Sequence, residues 1–282
     1  MPLPGGASAK FGDRYEGRWT VLQLVELLTE RADAVRLEPP GTEGEGIEFW
    51  VRQGPRTTHH QVKRQSPRGR AWSIDDVGRS GVLTNLFSKL ADPAATSVLL
   101  SADSAGELRE LNERSRGAAS WEEFEREFLR GAQARTNFQK VCGYVKDLGT
   151  EEVFDRLKRF EIRTIDEATL QGFVESQLLP LVTGEPSTVA AVLSQFALDN
   201  VHRAITATEL WRHLESHELR PRDWAKSQDS HPATLSDSQS RPRTHSPAVA
   251  KLRLWRRVTS GATLRRRSRL GDGRIPIIYI IA

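Results

Sequence analysis

Gly46-Ile-Glu-Phe-Trp-Val-Arg-Gln-Gly-Pro-Arg-Thr-Thr-His-His-Gln-Val-Lys63 decides the fold. Ile47–Arg52 and Thr57–Lys63 read as two strands around Gln53-Gly-Pro-Arg56, a hairpin signal. An even-length turn centred between Gly54 and Pro55 sets Arg52 opposite Thr57, Trp50 opposite His59 and Glu48 opposite Gln61. Directly opposed side chains share a face, with Cβ atoms about 4.5–5.5 Å apart. Side chains alternate along a strand, so Lys63 joins the Gln61 face. A carboxylate, an amide oxygen and an ammonium thus converge at the hairpin end remote from its turn. Hard oxygens suit Mg²⁺, and a nearby lysine can orient a water and offset charge on a phosphate. A turn of odd length would turn every side chain over. Ile47, Phe49 and Val51 give the first strand one buried face, and Val62 does the same for its partner. The opposite, polar face is expected to be wet or functional; an ordinary solvated sheet face is the plainer alternative.

Working outward, Tyr15, Trp19, Leu22 and Val25, widened by Leu24, Leu27 and Leu28, mark an amphipathic helix from Asp13 to about Glu30. Residues 1–10 read as an unordered leader. Ala34–Leu37 is a short β-prone run closed by Pro39-Pro40-Gly41. Ser73 can cap a helix reaching Leu90, and Asp92-Pro93 closes it. Ser97–Ser101 reads as a buried strand. This order of helix, strand, hairpin, helix and strand describes an α/β core over residues 11–103. A helical region follows over 104–225. Ser120-Trp-Glu-Glu123 and Thr206-Ala-Thr-Glu209 both match a capping box. Glu161–Ile165 is expected as one isolated strand, with long helices over 167–182 and 187–203. Helices around Trp121 and Trp211 read as core elements.

The chain has 282 residues, 38% of them hydrophobic and 28% charged, which describes a globular protein. No stretch approaches the roughly 18–20 apolar residues of a spanning helix, so no membrane partner is expected. The single cysteine, Cys142, excludes an intramolecular disulfide and a multi-thiolate zinc site, and a cytoplasmic, reduced setting is the expectation. The formal charge of +4 is uneven: Lys226–Arg274 carries 12 Lys or Arg against 3 Asp. No glutamate follows Glu218, and Ser, Pro and Arg dominate, so residues 226–282 are expected to be a basic tail of low order.

Tyr15-Glu16-Gly-Arg-Trp19 opening a helix, Gly46-Ile-Glu-Phe-Trp50 and His60-Gln-Val-Lys63 together resemble the PD-(D/E)xK nuclease fold in its Q-x-K variant. More narrowly, the pattern is similar to the double-stranded DNA endonuclease domain at the N-terminus of bacterial antiviral STAND-type NTPases. The resemblance implies a restriction-endonuclease-like core, Mg²⁺ (or Mn²⁺) as cofactor, double-stranded DNA as partner and a role in anti-phage defence. It implies Glu16, Glu48, Gln61 and Lys63 as catalytic residues, with Glu16, Glu48 and Gln61 on the metal. Arg56, Arg64, Arg68 and Arg70 are expected to contact phosphates. A homo-oligomer is left open. The family's hairpin acid is commonly Asp where this chain has Glu48, and Gln61 stands for a carboxylate, which predicts weaker metal affinity. An NTPase module is expected near residue 226, yet no G-x-x-x-x-G-K-[ST] pattern occurs; a truncated chain with a frameshifted or decayed tail is the expectation. The alternatives are an interaction or scaffold module that does not cut, and a non-specific nucleic-acid binder.

Overall fold

A computed structural model describes residues 5–64 and 71–222, within the unit Met1–Lys226. In chain order the elements begin with α1 (Gly5–Leu28), β1 (Ala34–Leu37), β2 (Phe49–Gln53) and β3 (Arg56–Lys63). They continue with α2 (Ile74–Arg79), α3 (Val82–Lys89), β4 (Thr96–Ser101) and α4 (Gly106–Gly117). Next come α5 (Trp121–Glu123), a π-helical turn (Phe124–Phe128), α6 (Ala132–Tyr144), α7 (Thr150–Arg159) and β5 (Phe160–Thr164). Last are α8 (Glu167–Leu178), α9 (Pro186–Asp199), β6 (Ala204–Ile205) and α10 (Ala207–Ser216). The expected tail, Arg68 and Arg70 lie outside the described residues.

The fold is mixed α/β, with one six-stranded sheet in the order β5-β4-β3-β2-β1-β6. The β1–β2, β2–β3 and β1–β6 pairs are antiparallel, while β3–β4 and β4–β5 are parallel. Parallel neighbours need a crossover; here α2 and α3 lead from β3 to β4, and α4 to α7 lead from β4 to β5. Both crossovers cover one face. There Trp50, Leu99, Phe160 and Ile162 pack with Leu83, Leu86, Leu108 and Phe154. On the other face α1, α8, α9 and α10 bury Val35, Phe49, Val62, Val98 and Leu100. A sheet covered twice needs apolar residues on both faces, and β4, Thr-Ser-Val-Leu-Leu-Ser, has them.

Several boundaries depart from the sequence reading for local reasons. Helix α1 starts at Gly5, inside the stretch read as an unordered leader. The helix expected from Ser73 to Leu90 is two helices. Ser73 and Asp76 form the capping box of α2, and Gly81, at φ +78°, turns the chain before α3. The segment expected as an isolated strand is β5, which extends the sheet beside β4. The polar face of the hairpin is partly covered by α2 and α3 rather than open, and Gln61 on it is buried. Crossover helices produce that burial, and a strand's own alternation does not reveal where they pack.

Candidate functional site

The hairpin turns on Gly54 and Pro55, and the ladder pairs Gln53 with Arg56, Arg52 with Thr57, Trp50 with His59 and Phe49 with His60. The turn is therefore of even length. Gly46, at φ +72°, bends the chain into β2 where a Cβ would lie 2.2 Å from the Asn85 side chain. Regular strand begins at Phe49. Ile47 consequently packs beneath the crossover helices with Trp50, not beside Phe49 as alternation alone predicts.

Glu48 sits on this bend, past the end of the ladder, and its side chain continues the pairing. Its backbone N–H donates to the His60 carbonyl at 2.9 Å. The Val62 N–H donates to Glu48 Oε2 at 2.8 Å, and Lys63 Nζ lies 3.5 Å from Oε1. Burial pushes the Glu48 carboxyl above its ordinary value; the Lys63 ammonium and the Val62 N–H oppose this without reversing it.

Gln61 pairs with Leu99 of β4, which places it on the crossover face, and Lys63 pairs with Ser101 on the same face. The Gln61 side chain is buried, and its Oε1 has no hydrogen-bond partner. An amide oxygen withdrawn from water without a partner costs about 1–3 kcal/mol, which makes it a natural place for a ligand. Below Lys63, Ser101 Oγ accepts from Trp72 Nε1 at 2.9 Å and from the Asp103 N–H at 3.1 Å. His59 lies on this face between Trp50 and Ser97. Burial, helped by Lys89, lowers its pKa to about 4, so it is a neutral packing group. His60 points to the opposite face and stacks on Phe49 with ring centroids 4.7 Å apart. Burial holds it well below the usual histidine range.

Glu48, Gln61 and Lys63 thus share one end of the hairpin. The oxygens of Glu48 and Gln61 suit a hard divalent cation, and the unpartnered Gln61 Oε1 fits that role. Among the described residues, no group of three or more His, Cys, Asp or Glu side chains converges to hold a metal. A cation here would therefore draw on the single carboxylate of Glu48, the Gln61 amide, main-chain carbonyls and water. Glu16 is half-buried on α1, the helix over the Val62 face.

The expected phosphate-binding arginines divide. Arg56 is exposed at the turn, and seven residue steps along β3 separate it from Lys63, about 23 Å at 3.3 Å each. Arg64 is at the right end but turns to α8, where its guanidinium meets Glu167 Oε2 at 3.0 Å. Glu167 also holds Arg18 at 2.5 Å and Arg14 at 2.6 Å. Sequence reasoning missed Glu167 because nothing local joins residues 64 and 167. Its one signal is a position just after Asp166, the N-cap of α8.

No protein-family model and no curated protein matches this chain. Solved structures with some likeness include the Moraxella osloensis Cap4 SAVED/CARF-domain containing receptor, 11% identical, with a TM-score of 0.44 over 74% of this chain and 48% of that one. The Acinetobacter baumannii Cap4 SAVED/CARF-domain containing receptor with the cyclic trinucleotide 2'3'3'-cAAA is 10% identical, with a TM-score of 0.43 over 72% of this chain and 44% of that one. The same receptor with 3'3'3'-cAAA gives 10% identity and a TM-score of 0.41, over 72% and 46%. The chain spans less than half the length of each. These findings correct two expectations, membership of the PD-(D/E)xK endonuclease family and cleavage of double-stranded DNA: the solved structures with some likeness are receptors, two of them with cyclic trinucleotides. At the hairpin end remote from its turn, Glu48 and Lys63 keep solvent contact, with side chains 20% and 34% exposed.

Proposed function

We propose that the hairpin end at Glu48, Gln61 and Lys63 binds the phosphodiester of a nucleotide-type ligand with a divalent cation and hydrolyses it. The observation that carries this reading is the buried, unpartnered Gln61 Oε1 beside a Glu48–Lys63 pair. Glu48 and Gln61 would hold the cation, Mg²⁺ or Mn²⁺, which supplies Lewis-acid polarisation of a phosphoryl oxygen when bound. Lys63, a compact ammonium with three donors, orients the attacking water and offsets the negative charge that grows on the phosphate. Val62 contributes its backbone N–H, which fixes Glu48 Oε2 and leaves Oε1 toward Lys63. Trp72 and Ser101 support the strand end from below, so Lys63 leaves a rigid position.

The test incubates the chain with Mg²⁺ or Mn²⁺ and two phosphodiesters, bis(4-nitrophenyl) phosphate and 3'3'3'-cAAA, following product by absorbance and chromatography. Removing one preorganised charge partner of the transition state costs about 10²–10³ in rate, so Lys63→Ala and Glu48→Gln should lose that much while melting near the parent temperature. Equal turnover by all three chains would sink the reading. Metal-dependent binding of 3'3'3'-cAAA without turnover would assign recognition in place of hydrolysis.

A further inference from the structure

The parallel strands β3, β4 and β5 all end at the same edge of the sheet, and α8 begins there. In open α/β sheets, ligands settle beyond the carboxyl ends of parallel strands, and anions settle at helix starts. On the α1 side of this edge, three guanidinium groups from two distant parts of the chain converge on one carboxylate. Arg14 Nε and Arg18 Nη1 donate to Glu167 Oε1 at 2.6 and 2.5 Å, and Arg64 Nε and Nη2 donate to Oε2 at 3.2 and 3.0 Å. Tyr15, between the two α1 arginines, is buried and donates to the Ile165 carbonyl at 2.8 Å, which anchors the helix at the β5–α8 junction. Asp166 is committed elsewhere, capping the Ala168 and Thr169 N–H groups.

We propose that Arg14, Arg18 and Arg64 form a phosphate subsite, occupied in the ligand-free chain by the Glu167 carboxylate and taken over by a phosphate of the ligand. The inference rests on the phosphate-bearing ligand argued above, not on its hydrolysis. Arg18 also donates to the Glu167 carbonyl at 3.4 Å and to Gln171 Oε1 at 2.7 Å, and a phosphate offers more oxygens and more charge than one carboxylate to the same fork geometry. Access is available from outside: the Arg14 side chain is 56% exposed, whereas Glu167 is 14% exposed beneath it. Arg64 directly follows Lys63, so a ligand crossing the strand ends meets the ammonium on one face and the guanidinium group on the other.

The test titrates the full chain with inorganic pyrophosphate by calorimetry, without divalent metal. Glu167→Gln removes the competing charge and should tighten binding at least fivefold. Arg18→Ala with Arg64→Ala should weaken it at least tenfold, and Arg56→Ala, at the far end of the hairpin, should stay within twofold of the parent. Binding that Glu167→Gln does not tighten, or that the double variant does not weaken, overturns the subsite. Should Glu167→Gln fail to fold, melting decides: pyrophosphate raises the melting temperature of the parent but not of Arg64→Ala, and no rise in the parent overturns the proposal. Pyrophosphate binding through the arginines in a chain that hydrolyses nothing would overturn the function proposed above and leave the subsite standing. Hydrolysis without arginine-dependent binding would do the reverse.

Discussion

Glu48 and Glu167 stand at the same end of the sheet, and solvent reaches them to a similar degree, 20% and 14% of the side chain. Their carboxyls nevertheless move in opposite directions. For Glu48, burial dominates and one ammonium at 3.5 Å does not offset it, so the carboxyl is raised. For Glu167, burial also pushes upward, but three arginines outweigh it and hold the carboxyl below its ordinary value. Similar solvent contact hides two differences that act together: Glu48 is hemmed in by more protein and has one ammonium, whereas Glu167 lies nearer the surface and has three guanidinium groups. A locked acid suits a structural tie or a placeholder. An underpaired acid beside an unpartnered amide is poised for a further positive charge, which is what a cation supplies.

The largest effect should come from unlocking Glu167. Arg18→Ala with Arg64→Ala leaves it one cation, and charge-assisted hydrogen bonds contribute about 1.5–3 kcal/mol each when partly buried, less as exposure grows. We expect the pair to cost about 2 kcal/mol in total, which lowers the melting temperature by roughly 4–8 °C in a domain of this size. A fall under one degree would mean that the cluster ties nothing together. Next is Gln61→Leu, which replaces an unpartnered buried amide with an apolar group of similar length. Without metal it should stabilise by about 1 kcal/mol, read as a higher denaturant midpoint. Excess Mg²⁺ should then stabilise the parent by ligand linkage and leave the variant unchanged. A Gln61→Leu chain that is less stable without metal would show that the amide already has a partner.

How far the residues themselves announced this arrangement depends on whether the signal was local. Register was legible once the turn was taken as even and centred on Gly54-Pro55: every ladder pair from Gln53–Arg56 to Phe49–His60 follows from that. The capping box Thr206–Glu209 was equally plain, because both partners lie within one turn. Strand β5 was found as a segment but misplaced as isolated, since a five-residue run carries no mark of the neighbour it will pair with. The same limit hid the roof over Gln61, which depends on where α2 and α3 pack. It also hid Glu167, whose three arginines come from α1 and the exit of β3. The bend at Glu48 had a local sign, Gly46, although a positive φ does not say which way the next side chain turns.

Lys63→Ala tests the weaker pair. The ammonium is 34% exposed, so its loss should cost under about 1 kcal/mol. The cost should shrink as pH falls toward the ordinary glutamate range, because Glu48, already raised, accepts a proton and no longer needs the ammonium. A pH-independent cost would assign Lys63 to packing alone.

The smallest effect is the most discriminating, because the two acids must give opposite signs. A carboxyl raised in the folded chain contributes stability that is fully present below the unfolded value near 4.5 and is lost as pH rises through the folded value. Glu48→Gln should therefore be more stable than the parent at neutral pH, with the gap closing in acid. A lowered carboxyl contributes stability that is present above the unfolded value and is lost as pH falls through the folded one. Glu167→Gln should be less stable than the parent at neutral pH, again converging in acid. Melting both variants beside the parent across pH 3–8 yields two difference curves on opposite sides of zero. Curves on the same side would mean that the three arginines do not set Glu167 apart from Glu48.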